Sequence, residues 1–325
     1  MPRFQGDAAL YGGYAVNRPI LTNVSASVRQ KLMNIAQKTG DAPNIIWTRY
    51  AIERLIYRLS VSEFSESFVL KGAVLFMVWS NEPHRPTMDL DLLGYGEDSN
   101  ERITAVFQRI CQMDQENDGL MFEEKSIHVM PIREGMEYQG RRVTLLAYLG
   151  KARIAIQVDI GFGDAVTPKP EMISYPALLD FPSPRIKAYS QVTVIAEKFH
   201  AMVLLGITNS RMKDFYDLHV LASRFAFDGS TLVKAVKATF RRRKTAIPDH
   251  VPMALTDEFG LDNMKRVQWN AFVRKNGIEK RVPEFLKMLS LLREFLLPVM
   301  QAASDKGGLP KYWKACGPWS SGRES

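Results

Sequence analysis

FVLKGAVLFMVWSNEPHRPTMDLDLLG, residues Phe68 to Gly94, is the stretch whose reading decides the fold. Val69 and Leu70 read as strand, Lys71-Gly72-Ala73 as a turn, Ala73 to Trp79 as a short buried helix, and Thr87 to Leu93 as strand again. Residues two apart on a strand share a face, so Asp89 and Asp91 project together while Leu90 and Leu92 point into a core. Two carboxylates held on one face repel unless a cation lies between them, and Mg²⁺ is the usual choice for hard oxygen donors. Alone, the pair reads more plainly as solvated acids on an edge strand. The order of parts before it changes that reading. Gly72 lacks a side chain, so backbone N–H groups at the turn can approach a triphosphate, and the following helix N-terminus adds positive potential. His84, Arg85 and Thr87 come just before the acids, where Arg85 is either part of the site or a surface cation paired with a nearby carboxylate.

Outward from this stretch, RIAIQVDIG supplies a third acid. Ile154, Ile156, Val158 and Ile160 take one face of a strand and leave Asp159 on the other, either as a catalytic carboxylate or as the cap of the turn that follows. Between lie an amphipathic helix over 99–113 and strands near 125–132 and 142–148. Upstream, Ser25 or Ser27 caps a helix reaching Lys38, and Pro43 opens a second one running to about Ser60. Alternating strands and helices predict a mixed-sheet α/β domain over 23–165, preceded by a loosely attached arm over 1–22. Five prolines make 166–185 an extended connection; 186–302 reads as a helical bundle and 303–325 as a mobile Gly/Ser-rich tail.

The helical half holds Glu197 and Lys198 in VIAEKFHAM, then Arg211, Lys213, Asp214 and Asp217 in RMKDFYDLHVL. Periodicity alone makes Asp214 and Asp217 a solvated helix face, with Lys213 and Asp217 as an ion pair. Arg241-Arg242-Arg243-Lys244 reads as a solvated cluster or an RNA phosphate contact, and His200 and His219 as packing residues.

In 325 residues, 43 Lys and Arg against 35 Asp and Glu give a net charge of +8, which permits a polyanionic partner. The two cysteines, Cys111 and Cys316, form neither a metal spacing nor a disulfide framework and suit a reducing compartment. No run approaches the roughly 20 apolar residues of a membrane span, so a cytoplasmic protein without membrane contact is expected.

FVLKGA, RPTMDLDLLG, VDIGFGD, AEKFHAM and NSRMKDFYDL, in that order, resemble the AbiEii/AbiGii-type nucleotidyl transferases, toxins of bacterial abortive-infection and toxin–antitoxin systems. The resemblance spans most of residues 40 to 300. It implies a polymerase-beta-like domain followed by a helical one, a nucleoside triphosphate with Mg²⁺, a separately encoded antitoxin, and transfer of a nucleotide to the 3′ end of tRNA. By resemblance, Gly72 and Ala73 take the phosphate loop and Asp89 and Asp91 hold the metal; the residues beside them make Lys71, Arg85 and Thr87 candidate nucleotide contacts and Asp159 the candidate third acid at the metal. Lys198 and Asp214 then complete the active site, with Lys213 and Asp217 as close candidates. Ala73 stands where the family commonly has Gly or Ser, which removes a hydroxyl but keeps the backbone N–H. Two rival functions keep the fold: a protein nucleotidyl transferase, and a nucleotide-binding regulator without turnover.

Overall fold

Phe68, Val69 and Leu70 are fully buried, which is the mark of a strand covered on both faces rather than of an amphipathic edge. In the computed structural model, which describes residues 23–80, 85–113, 117–134, 138–308 and 311–320, they form β1 (Phe68–Lys71), near the middle of a seven-stranded mixed sheet. The expected arm over 1–22 and His84 lie outside the described residues.

Two helices precede β1. In α1 (Val24–Thr39) the N-cap is Asn23, whose side chain accepts from the Ala26 N–H at 3.0 Å, rather than Ser25 or Ser27. Pro43 stands at the first position of α2 (Pro43–Val61), where its missing N–H costs nothing. After Gly72 the chain makes a single 3₁₀ turn (Ala73–Leu75) and then a short α3 (Phe76–Ser80) before β2 (Asp89–Gly94). Next come α4 (Asn100–Gln112), capped by Ser99, and the long strands β3 (Leu120–Glu134), β4 (Tyr138–Leu149) and β5 (Ala152–Phe162).

The proline-rich stretch is not a free connection. It contributes β6 (Glu171–Ser174) and leads into β7 (Arg185–Ala188), which pairs antiparallel with β6 and parallel with β1. The sheet order is β3-β4-β5-β2-β1-β7-β6, so β2 lies between an antiparallel β1 and a parallel β5. Helix α2 packs against β5 and β7, and α4 against β3.

The remaining helices are α5 (Gln191–Leu205), α6 (Met212–Arg224), α7 (Gly229–Arg242), α8 (Asp257–Leu261), α9 (Asn263–Asn276) and α10 (Phe285–Ala303). Leu289, Leu292, Phe295 and Leu296 of α10 are fully buried, as their helical spacing requires. The segment Gln191–Thr208 is long and apolar enough to cross a bilayer by length and composition alone, contrary to the sequence expectation. Half of it is buried inside the protein, where α5 packs against α6 and α7.

The expected mobile tail is packed over 311–320. β9 (Tyr312–Trp313) lies between β8 (Phe227–Asp228) and β10 (Trp319–Ser320) in a small sheet. Trp313 is fully buried and donates its indole N–H to Ala222 O at 2.8 Å, while the Trp319 indole stacks on Phe295 at 5.9 Å. Two large aromatic surfaces outweigh the flexibility of Gly317 between them.

Candidate active site

Strand register brings the acids together. Lys71 of β1 stands opposite Asp91 of β2, and Asp91 opposite Asp159 of β5, so all three side chains share one face of the sheet. Asp89 is on the same face two residues along, opposite Gln157. Their neighbours Leu90, Leu92, Ile156, Val158 and Ile160 are buried on the other face. The alternation in DLDLL and AIQVDI is therefore what exposes three carboxylates above a hydrophobic layer.

Gly72 follows with φ 77° and ψ −162°, a conformation essentially restricted to glycine. A Cβ there would stand 2.0 Å from Asp91 Oδ2. The turn and the carboxylate thus fit only because residue 72 has no side chain. Ala73 is buried at the start of the 3₁₀ turn. Thr87 is half-buried in the segment leading into β2.

Burial raises the Asp89 pKa, with repulsion from Asp159 adding to it and Lys213, Arg142 and Arg85 opposing. Burial also raises that of Asp91, against the pull of Lys71 and Lys213. Asp159 is otherwise engaged: Arg142, its cross-strand neighbour on β4, grips it with a two-pronged bond of 2.8 and 2.7 Å. Among the described residues no group of three His, Cys, Asp or Glu side chains is arranged to hold a metal ion.

Helical residues meet this face from the other side. Asp214 and Asp217 are fully buried, not a solvated helix face. Lys198 Nζ lies 2.6 Å from Asp214 Oδ1 and 2.9 Å from Asp217 Oδ2. Arg85 holds Asp217 with bonds of 2.9 and 3.1 Å, and Arg211 reaches Asp214 at 2.8 Å. Arg85 is therefore paired with a carboxylate, as its plainer reading held, but in the interior and across 132 residues of sequence. Burial works against the charges on Lys198 and Arg85, yet the two aspartates outweigh it and raise both pKa values. Lys213 is exposed, and its charge acts on both Asp89 and Asp91.

A third cluster was not visible in the sequence. Lys71 Nζ bonds Asp164 at 3.0 Å, Arg243 reaches the same carboxylate at 3.1 Å, and Glu197 lies 3.5 Å from Arg243. Arg242 donates to Gly163 O. Half of the expected solvated arginine cluster thus pins α7 to the loop after β5. Burial raises the pKa of Glu197, and burial is outweighed by Lys71 and Arg243 in lowering that of Asp164. His200 is buried, edge-on to Phe240 and bonded to Thr245 at 2.8 Å, which is a packing role.

Comparison with known proteins follows the same lines. The family model described as "Nucleotidyl transferase AbiEii toxin, Type IV TA system" matches residues 54–290. Comparison with curated proteins gives no match. Among solved structures, JHP933 from Helicobacter pylori is similar over 82% of this chain and 94% of its own, at 13% identity and a TM-score of 0.47. A second H. pylori chain, described as a candidate nucleotidyltransferase, is similar over 82% of this chain and 96% of its own, at 12% identity and a TM-score of 0.45.

Proposed function

The chain belongs to the AbiEii family of nucleotidyl transferase toxins, whose model spans residues 54–290, and from that premise we propose that it transfers a nucleotide from a nucleoside triphosphate to the 3′ end of tRNA. The observation that carries the chemistry is the row formed by Asp89, Asp91 and Asp159 with Gly72 pressed against Asp91.

The donor set fits Mg²⁺. Asp89 and Asp91 share a face and are both pushed toward protonation by burial, a strain that a bound cation relieves. Mg²⁺ commonly takes one or two carboxylates and fills its other positions with phosphates and water, so the absence of a three-acid cage is no obstacle. When bound, the ion offsets the negative charge of the triphosphate.

The chain's own residues do the rest. Gly72 lets the triphosphate approach the backbone above Asp91, and Lys213 supplies an exposed positive charge beside it. Asp159 is held by Arg142, but each carboxylate oxygen has two lone pairs and can still accept from an acceptor hydroxyl. That hydroxyl gives its proton to Asp159 and attacks the α-phosphorus in line, forming a new O–P bond as the α–β bond breaks and pyrophosphate leaves. Lys198, spread between Asp214 and Asp217, keeps α6 docked against the site. With tRNA as acceptor the protein works in the cytoplasm, and membership of a Type IV toxin–antitoxin family implies a cognate antitoxin.

The test is incubation of the protein with α-labelled nucleoside triphosphates, Mg²⁺ and total tRNA. Label is expected on tRNA with the wild type and to fall by at least about a hundredfold in Asp89→Ala, as loss of transition-state charge stabilisation predicts. Label on a protein band instead would replace the tRNA reading with protein nucleotidylation, and equal labelling by Asp89→Ala would remove the assigned site.

A further inference from the structure

Helix α7 lines a cavity of about 630 Å³ with Lys234, Lys237 and Arg241, together with Thr167 and Thr245. The three cations recur at helical spacing and so form a single stripe two turns long. Among the described residues neither Lys234 nor Arg241 makes an ion pair. Lys237 is held by Asp305 at 2.7 Å, the one acid lining the cavity.

The position matters as much as the charge. The C-terminal end of α7 is bound to the loop after β5, through Arg242 to Gly163 and Arg243 to Asp164, a few residues beyond Asp159. Thr167 on the same loop lines the cavity. The loop that follows Asp159 thus touches α7 and lines its cavity.

We infer that the α7 groove binds the phosphodiester backbone of the acceptor RNA. An open groove that sets three cations and two threonine hydroxyls among the apolar Ala238, Phe240, Ile247 and Ala303 offers its charge to successive phosphates, which are recognised without base contacts. Asp305, exposed and on the far rim, holds Lys237 while no RNA is present and yields it to a phosphate.

The inference rests on the RNA-acceptor reading, and the experiment separates the two. Total tRNA binding is measured by filter retention over a range of salt, alongside nucleotide binding and label transfer. In K234E/K237E/R241E, tRNA affinity is expected to fall at least about tenfold, and the slope of log affinity against log salt to lose about 2 units, at roughly 0.7 per single-stranded phosphate contact. Nucleotide affinity should stay within about twofold, because none of the three touches the nucleotide site. Asp305→Asn is expected to move the other way and tighten tRNA binding. Replacement by Gln at the same three positions keeps the result independent of folding damage from reversed charge. Unchanged tRNA affinity in the triple variant, with label still transferred to RNA, overturns the groove and leaves the function standing. Label on protein alone, with no tRNA bound by the wild type, overturns both.

Discussion

At Gly72 one missing methyl group decides whether a carboxylate and a turn can share a site. Gly72→Ala would put a Cβ into Asp91 Oδ2 and force a left-handed φ on a residue with a side chain. The expected cost is about 1–3 kcal/mol of stability, read from a urea midpoint, together with loss of triphosphate binding in a titration with Mg²⁺ present. The sequence showed the three acids and their faces, because alternation with Leu, Ile and Val is a local signal. It did not show what holds them. Arg142 meets Asp159 only through the register of β4 on β5, and Asp164 meets Lys71 across 93 residues. Asp214 and Asp217 were read as solvated for the same reason: helical spacing reveals which residues share a face, but not that Lys198 and Arg85 are waiting there.

Among the elements, α2 buries a carboxyl group against a distant segment of the same chain. Glu53 accepts the Leu178 N–H at 2.7 Å and lies 3.0 Å from Arg54, yet burial raises its pKa to about 7. The folded state therefore binds a proton that the unfolded chain has already lost, and this contribution to stability disappears as pH rises from about 4.5 to about 7. His200 and His219, both lowered to about 4 by burial, act with the opposite sign below about 6.5. Glu53→Gln isolates the first effect: the difference in unfolding free energy between wild type and variant should change steadily in the variant's favour as pH rises through that window. Parallel urea titrations at several pH values check this. The small sheet gives a second prediction. Trp313→Ala empties a fully buried indole site and removes the bond to Ala222, at an expected cost of about 3–5 kcal/mol, seen as a lower thermal midpoint. The mixed α/β sheet and the main helices were legible in the sequence, whereas β6 and this tail sheet were not. Proline, glycine and serine dominate those stretches locally, and the partners that order them lie elsewhere in the chain.

Across the whole molecule, the sheet and the helical half are joined by charge. Arg85 and Lys198 share Asp217, and all three are largely withdrawn from water. Removing the Asp217 charge takes the carboxylate from Arg85 and leaves Lys198 with Asp214 alone, so Asp217→Asn should cost about 3–5 kcal/mol. Unfolding should show the loss, and triphosphate affinity should fall with it, since Lys198 and Arg85 act on Asp91 and Asp89.

The order of strands in the sheet also governs when the site can exist. A growing chain presents Asp89 and Asp91 early, but their neighbour Asp159 comes about seventy residues later, Asp217 later still, and Arg243 last of all. At about 5–20 residues per second of synthesis, that delay is on the order of ten seconds. Throughout it, the ribosome making the protein carries acids without their companions. The topology thus withholds a finished site until most of the chain has been made.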